Sequence, residues 1–266
     1  MSPDFYNWDS QDYAKHSAAQ YQWASELIDK LEFSGKESLL DIGCGNGTIS
    51  ALLAKKLPKG LVVGIDNSEP MIMSAKQNFS NAAYPNLKFY VMDAAELDFN
   101  DEFDVAFSNA SLHWIKDHLS VLKGVKRSLK KSGSFLFQMG GKGNAKDVID
   151  VLNQLINTTP WKPYFQNFVF PYGFYGIDEY KHWIREAGLK QIRLELIPKD
   201  MKQNGKEGLA GWIRTTWLPY TERIPSQLRN AFITEIVESY VERFPIDREG
   251  HVHVKMKRLE VEGINP

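Results

Sequence analysis

Residues 39–47 read LLDIGCGNG, and this stretch decides the fold. Leu39, Leu40 and Ile42 surround Asp41, and Gly43, Gly45 and Gly47 then fall at every second position. A short apolar run without alternation suits a strand buried on both faces of a parallel sheet. Glycines directly behind such a strand let the backbone turn sharply and approach a ligand with no Cβ in the way. The spacing is GxGxG behind an acidic residue. It differs from the GxGxxG of dinucleotide loops, which present a helix N-terminus to a pyrophosphate.

Working outward, the chain alternates strands and helices. A helix is predicted over 13–31, after the polar turn WDSQD, and the strand over 38–42 leads to a helix over 48–57 that stops at Pro58. A second buried strand over 61–65 precedes a helix over 70–79, with Pro70 in its first turn. Strands are predicted over 87–92, 103–108 and 134–139, the last preceded by an amphipathic helix over 118–130. This succession implies βαβ units and a largely parallel sheet with helices on both faces. Beyond it, helices are expected over 148–156, 178–187, 209–217 and 226–243, with strands over 191–197 and 251–261. The aromatic, Pro-rich stretch PWKPYFQNFVFPYGFYG separates the first two of these helices.

With 266 residues and 43% hydrophobic content, the chain can bury a substantial core as one α/β domain with additions. We read 1–34 as an N-terminal cap, 35–140 as a cofactor-binding core, and 141–266 as a substrate-side part with a helical lid over 205–245. Thirty-two basic against 33 acidic residues leave a formal charge of -1, with no electrostatic pull toward nucleic acid or an anionic membrane. No apolar run approaches the roughly 20 residues of a membrane span. The acidic beginning MSPDFYNWDSQDY lacks the layout of a signal peptide. One cysteine, Cys44, excludes an intrachain disulfide and points to a reducing compartment, so a cytoplasmic location is expected.

The chemistry-bearing residues follow the strands. Asp41 closes the first. Asp66 and Asn67 follow the second, where a carboxylate can accept both hydroxyls of a ribose. Asp93 and Ala94 follow the third, placed to meet an adenine amino group, with Met71 as an apolar wall for the ring. The fourth ends in Ser108-Asn109-Ala110-Ser111-Leu112-His113-Trp114. Any one of these has a structural reading as a turn or helix cap. Together, at one edge of an open α/β sheet, they read as the site of an adenosyl ligand. S-adenosylmethionine suits this loop because it has no phosphate and its zwitterionic end can use backbone groups and Asp41. Cys44, within the same loop, is counted among the contacts, as is Asn109.

On LLDIGCGNG, VVGIDNSEPMI and VMDAAEL, the sequence resembles the Rossmann-like S-adenosylmethionine-dependent methyltransferases over roughly 13–139. The resemblance implies a seven-stranded, mostly parallel sheet with an antiparallel last strand. It also implies an N-terminal cap helix and a helical lid inserted before that strand. The segments WDSQDY, NASLHWIKD and GWIRTTWLPY are similar to the trans-aconitate methyltransferases, and YAKHSAAQ with LHWI to the juvenile hormone acid methyltransferases of insects. Both methylate a carboxylate oxygen of a small molecule. The resemblance places Tyr13, His16 and Gln20 on a helix over the cofactor, with Gln20 and Trp114 holding the acceptor carboxylate.

Trp114, Trp212, Trp217 and Tyr220 can enclose the acceptor, although aromatics at helical spacing are also core formers. His113 is a base if the acceptor is a hydroxyl or amine, or else a helix-entry residue. A tricarboxylate would call for several cations. Arg214 is the only one near the aromatic segment, so a more apolar acid is expected. His118, His182, His251 and His253 show no zinc-like spacing with cysteine, and no metal is expected. The rival readings are a C- or N-methyltransferase, a non-catalytic S-adenosylmethionine-binding protein, and a nicotinamide-dependent oxidoreductase with the wrong glycine spacing.

Overall fold

The first strand, β1 (Ser38–Ile42), is buried at four of its five positions and hydrogen-bonds a parallel neighbour on each side. The computed structural model describes residues 18–266, with side chains from 21 onward. The described elements begin with α1 (Ala18–Ile28), followed by β1, α2 (Thr48–Lys56), β2 (Leu61–Asp66), α3 (Glu69–Asn78) and β3 (Leu87–Val91). Then come β4 (Phe103–Asn109), α4 (His118–Ser128), β5 (Leu129–Gly140), α5 (Lys146–Leu155) and α6 (Ile177–Glu186). The last are β6 (Lys190–Asn204), α7 (Gly205–Thr216), the short α8 (Leu218–Thr221), α9 (Ser226–Arg243) and β7 (His251–Ile264).

The strand order is β3-β2-β1-β4-β5-β7-β6. Strands β1 to β5 pair in parallel, and β7 runs antiparallel to β5 with Ser134 opposite Ile264 and Gly140 opposite Arg258. This is the mostly parallel, Rossmann-like sheet expected from the glycine run. Chain direction in the order reverses between β1 and β4, which opens a crevice at their carboxyl ends.

The chain forms two compact units. One comprises Gln20–Lys142, Tyr172–Ile197 and Arg258–Pro266, and its sheet is covered on both faces. Leu40, Val63, Ala106 and Phe137 join residues of α4 and α6 on one face. Leu39, Val62, Val105 and Leu136 join α2, α3 and the end of α1 on the other. Parallel strands with two buried faces cannot alternate in polarity, which is why β1 and β2 read as continuous apolar runs. Helix α3 starts where Ser68 accepts from the Met71 amide at 3.4 Å, and α4 where Asp117 accepts from the Ser120 amide at 3.0 Å.

The second unit includes Gly143–Pro171 and Pro198–Lys257. Helix α9 packs against α7 and α5, and its Phe232 meets Trp161 and Phe165 at ring separations of 4.9 and 5.7 Å. The segment expected as a lid therefore does not stand alone, because α5 and the aromatic stretch after it share its core.

Some element boundaries differ from expectation. Helix α4 stops at Ser128, two residues early, because Leu129 is taken into pairing with Phe103 and its carbonyl accepts from the Asn265 side chain at 2.7 Å. Strand β6 runs on through Pro198 to Asn204, as an edge strand can. The first described helix ends at Ile28, three residues before its expected end. Beneath the β5–β7 pair, the buried Glu260 carboxylate accepts from Lys30 at 2.5 Å, Arg193 at 2.6 Å and Gln138 at 2.9 Å. Burial pushes this carboxyl up, and those hydrogen bonds outweigh burial and hold it below the usual range.

Candidate functional site

The glycine loop is drawn tightly against its neighbours on one side and open on the other. Gly43 and Cys44 both donate their amides to the Ile65 carbonyl, at 2.8 and 2.9 Å. Gly43 has φ 73°, and a Cβ there would lie 1.7 Å from the Ser111 hydroxyl, so the loop after β4 rests directly on it. Gly45 has φ 53°, and a Cβ there would meet nothing within 4 Å. One glycine thus permits a close approach of two loops, and the other leaves backbone facing open space.

Asp66, at the end of β2, joins the loop. It accepts from the Gly45 amide at 3.0 Å and from the Ser68 amide at 2.9 Å. Burial pushes its carboxyl up, against the pull of those two amides. Asp41 is 2% exposed and accepts from the Ser50 hydroxyl at 2.6 Å. Burial raises its pKa to about 7, Ser50 works against this, and the Asp66 charge adds to it. Asp93 is exposed and caps the following turn by accepting from the Ala95 amide at 2.8 Å. Ala94 and Met71 are buried, and Asn67 is exposed.

A carboxyl titrating near neutrality makes stability depend on pH. Between the ordinary aspartate value, about 3.9, and about 7, the folded chain holds a proton that the unfolded chain has lost. Stability falls with rising pH across that window and levels off above it. Asp41→Asn should flatten the fall while still accepting from Ser50. Denaturant unfolding at pH 5 and pH 8 measures it, and an equal drop in parent and variant would refute the assignment.

Cys44 turns its side chain away from the loop surface. Its side chain is 7% exposed and lies in the core beside Gly64, where a Cβ would meet its Sγ at 3.0 Å. Burial, then the charges of Asp41 and Asp66, push the thiol well up, so it stays a thiol. Only its backbone belongs to the loop surface.

At the end of β4, His113 and Trp114 lie in an aromatic group that the sequence left unassigned. Tyr172 stacks on Phe174 at 5.2 Å and meets Trp114 edge-on at 4.9 Å, and Phe174 lies 5.7 Å from the His113 ring. The Gly173 amide donates to the His113 carbonyl at 2.8 Å and holds this segment in place. The ring Nδ1 of His113 accepts from the Gly140 amide in a long 3.4 Å hydrogen bond. Burial, then the charge of Arg258, depress this imidazole well below its ordinary value. A ring held so far below its ordinary value is neutral at pH 7, and with Nδ1 facing the Gly140 amide its Nε2 is the atom placed to donate.

His118 is a packing residue. It is neutral, its pKa lowered to about 4 by burial. Its Nε2 donates to the Ile115 carbonyl at 3.0 Å, which leaves Nδ1 to accept from the Tyr180 hydroxyl at 2.6 Å.

Arg258 is the residue that the sequence reading missed. It is 3% exposed, lies over the Trp23 ring at 5.1 Å, and sits opposite Gly140 in the β5–β7 pair. The signal was available. Val252, Val254 and Met256 mark the buried phase of β7, and Arg258 continues it. Arg214, the cation singled out instead, is exposed on α7.

Trp212, Trp217 and Tyr220 are buried in the second unit, with Trp212–Trp217 and Trp217–Tyr220 ring separations of 5.7 and 5.8 Å. These are contacts of a core. Asn109 closes β4 half-buried, opposite Gln138. Tyr13, His16 and the side chain of Gln20 lie outside the described residues.

A methyltransferase-domain family model matches residues 33–188, more than half of the chain. The chain is similar to the uncharacterised methyltransferase C70.08c of Schizosaccharomyces pombe, 31% identical over 74% of this chain and 78% of that protein. It is also similar to a trans-aconitate 2-methyltransferase of an Enterobacter species, 26% identical over 95% of this chain and 96% of the relative. Among solved structures, the phosphoethanolamine N-methyltransferase 2 of Haemonchus contortus, in complex with S-adenosyl-L-methionine, shares its fold. The TM-score is 0.61 at 18% identity, over 97% of this chain and 56% of that one. The chain belongs to the methyltransferase-domain family and is an S-adenosylmethionine-dependent methyltransferase.

Proposed function

We propose that this methyltransferase transfers the methyl group to a carboxylate oxygen of a small, largely apolar acid in the cytoplasm, with neither nucleic acid nor membrane as substrate. The observation that carries the carboxylate reading is Arg258, a permanently charged guanidinium almost wholly buried near His113. A site that keeps a positive charge out of water is complementary to an anionic acceptor.

The residues present fit the cofactor. Gly45 leaves its side of the loop open, and Asp66 offers a carboxylate already aligned by two amides, suited to a ribose diol. Asp41 suits the cationic amino group of the methionine part, Met71 the adenine ring, and Asp93 with Ala94 the adenine edge. Gly43, the Cys44 backbone, Asn67 and Asn109 complete the cradle, and Tyr13 and His16 are further candidate cofactor contacts. S-adenosylmethionine supplies a sulfonium methyl carbon to which the acceptor oxygen bonds as the carbon–sulfur bond breaks, the electron pair remaining on sulfur.

A carboxylate is ionised at neutral pH, so no proton has to move. The chain's task is alignment and exclusion of water. Gln20 and the indole N–H of Trp114 orient the acceptor, and Tyr172 and Phe174 supply apolar surface beside them. His113, as a neutral donor, adds a hydrogen bond rather than general-base catalysis.

The test is a screen with methyl-labelled S-adenosylmethionine over small acids, phenols and amines. Label should enter acids, and mild base should release it as methanol from an ester. Label entering only amines, phenols or carbon acids would replace the carboxylate reading, and cofactor binding without transfer to any acceptor would mark a binding protein.

A further inference from the structure

The turn between α9 and β7 reads Asp247-Arg-Glu-Gly-His251-Val-His253, and its side chains gather in one cluster. We propose that Asp247, Glu249 and His251 form a binding site for a divalent first-row transition metal such as zinc. One carboxylate oxygen from each acid and Nδ1 of His251 lie within 4.8 Å of one another. The decisive atom is that Nδ1, which is shielded from solvent and has no hydrogen-bond partner. It faces the Asp247 carboxylate at 3.8 Å and the Glu249 carboxylate at 3.7 Å. Those separations are too long for hydrogen bonds. They lie close to the roughly 3–3.6 Å between neighbouring ligands on an ion with bonds of about 2.0–2.2 Å.

The surroundings hold the cluster in register. Asp247 accepts through its other oxygen from the Glu249 and His251 amides, both at 2.8 Å. Gly250, with φ 88°, makes the reversal. On the far side, His253 spans Asp247 at 2.8 Å and Asp200 of β6 at 2.7 Å. A carboxylate ligand steadied by a histidine that a second carboxylate steadies in turn is the outer arrangement of metal sites. An imidazole with two carboxylates selects zinc, nickel or cobalt over calcium and magnesium, which require oxygen ligands alone. Three protein ligands leave room for water. The ion would tie the turn to the start of β7.

The experiment titrates the untagged full chain with Zn2+ by calorimetry and with Co2+ by visible absorption, and follows thermal unfolding with and without chelator. One ion should bind per chain, and the melting temperature should rise with metal and fall back on chelation. His251→Asn should remove the site, and Glu249→Gln should weaken it at least tenfold. Glu249 is 73% exposed, so its substitution leaves folding intact. Asp200→Asn should weaken binding by about 10-fold through loss of the outer support. Binding no tighter than about 100 μM at neutral pH, binding unchanged in both His251→Asn and Glu249→Gln, or equal competition by Ca2+ would overturn the proposal.

Discussion

The Arg258→Gln enzyme should bind S-adenosylmethionine as the parent does and lose at least about 30-fold in kcat/KM for its acid acceptor. The estimate takes the lower end of the 2–5 kcal/mol that removing one partner of a buried, hydrogen-bonded charge pair costs. Arg258 lies over Trp23 at 5.1 Å and is nearly wholly buried, so the same change also tests packing. Arg258→Lys separates the two effects. It keeps the charge and much of the stem but gives up the planar fork that meets a carboxylate through two parallel bonds. An intermediate kcat/KM for the lysine enzyme is the signature of carboxylate recognition. Unchanged turnover in a folded glutamine enzyme would remove Arg258 from the site and the carboxylate reading with it.

Asp66→Ala should weaken cofactor binding by about 1.5–3 kcal/mol, the worth of hydrogen bonds to a charged group. That is roughly 12- to 140-fold in Kd at 1.4 kcal/mol per decade. Two causes act together, because the carboxylate is the proposed ribose partner and also aligns the Gly45 and Ser68 amides. Asp66→Asn keeps one acceptor oxygen for an amide and loses the charge, so it should fall between parent and alanine. Calorimetry on the three proteins reads this directly. Equal affinity in all three would mean that the ribose lies elsewhere.

The two predictions rest on residues of different legibility. Asp66 ends an apolar strand, and its partners Gly45 and Ser68 lie close to it in the same βαβ region. Local order was enough to find it. Arg258 comes near His113 because β7 turns antiparallel to β5 and sets Arg258 opposite Gly140, whose amide donates to His113. No local pattern carries that register. The same holds for Tyr172 and Phe174, which read as part of an irregular aromatic stretch until the backbone of Gly173 ties them to His113. Cys44 illustrates the converse. Its place in the glycine run was plain, but the side of the strand on which its thiol falls was not.

What the sequence determined by itself is the cofactor half of this protein. The glycine loop, the acidic residues after successive strands and the alternation of strand and helix are local features. Their physical reasons, backbone freedom at glycine and apolar runs that cover a buried sheet, act within a few residues. What the tertiary structure decided is which side chains stand beside that loop. The rest of LLDIGCGNG's surroundings come from the antiparallel pairing of β7, the tight seat of Ser111 on Gly43 and the aromatic group at His113. Each joins residues far apart in the chain, and packing alone selects among the partners they could have had.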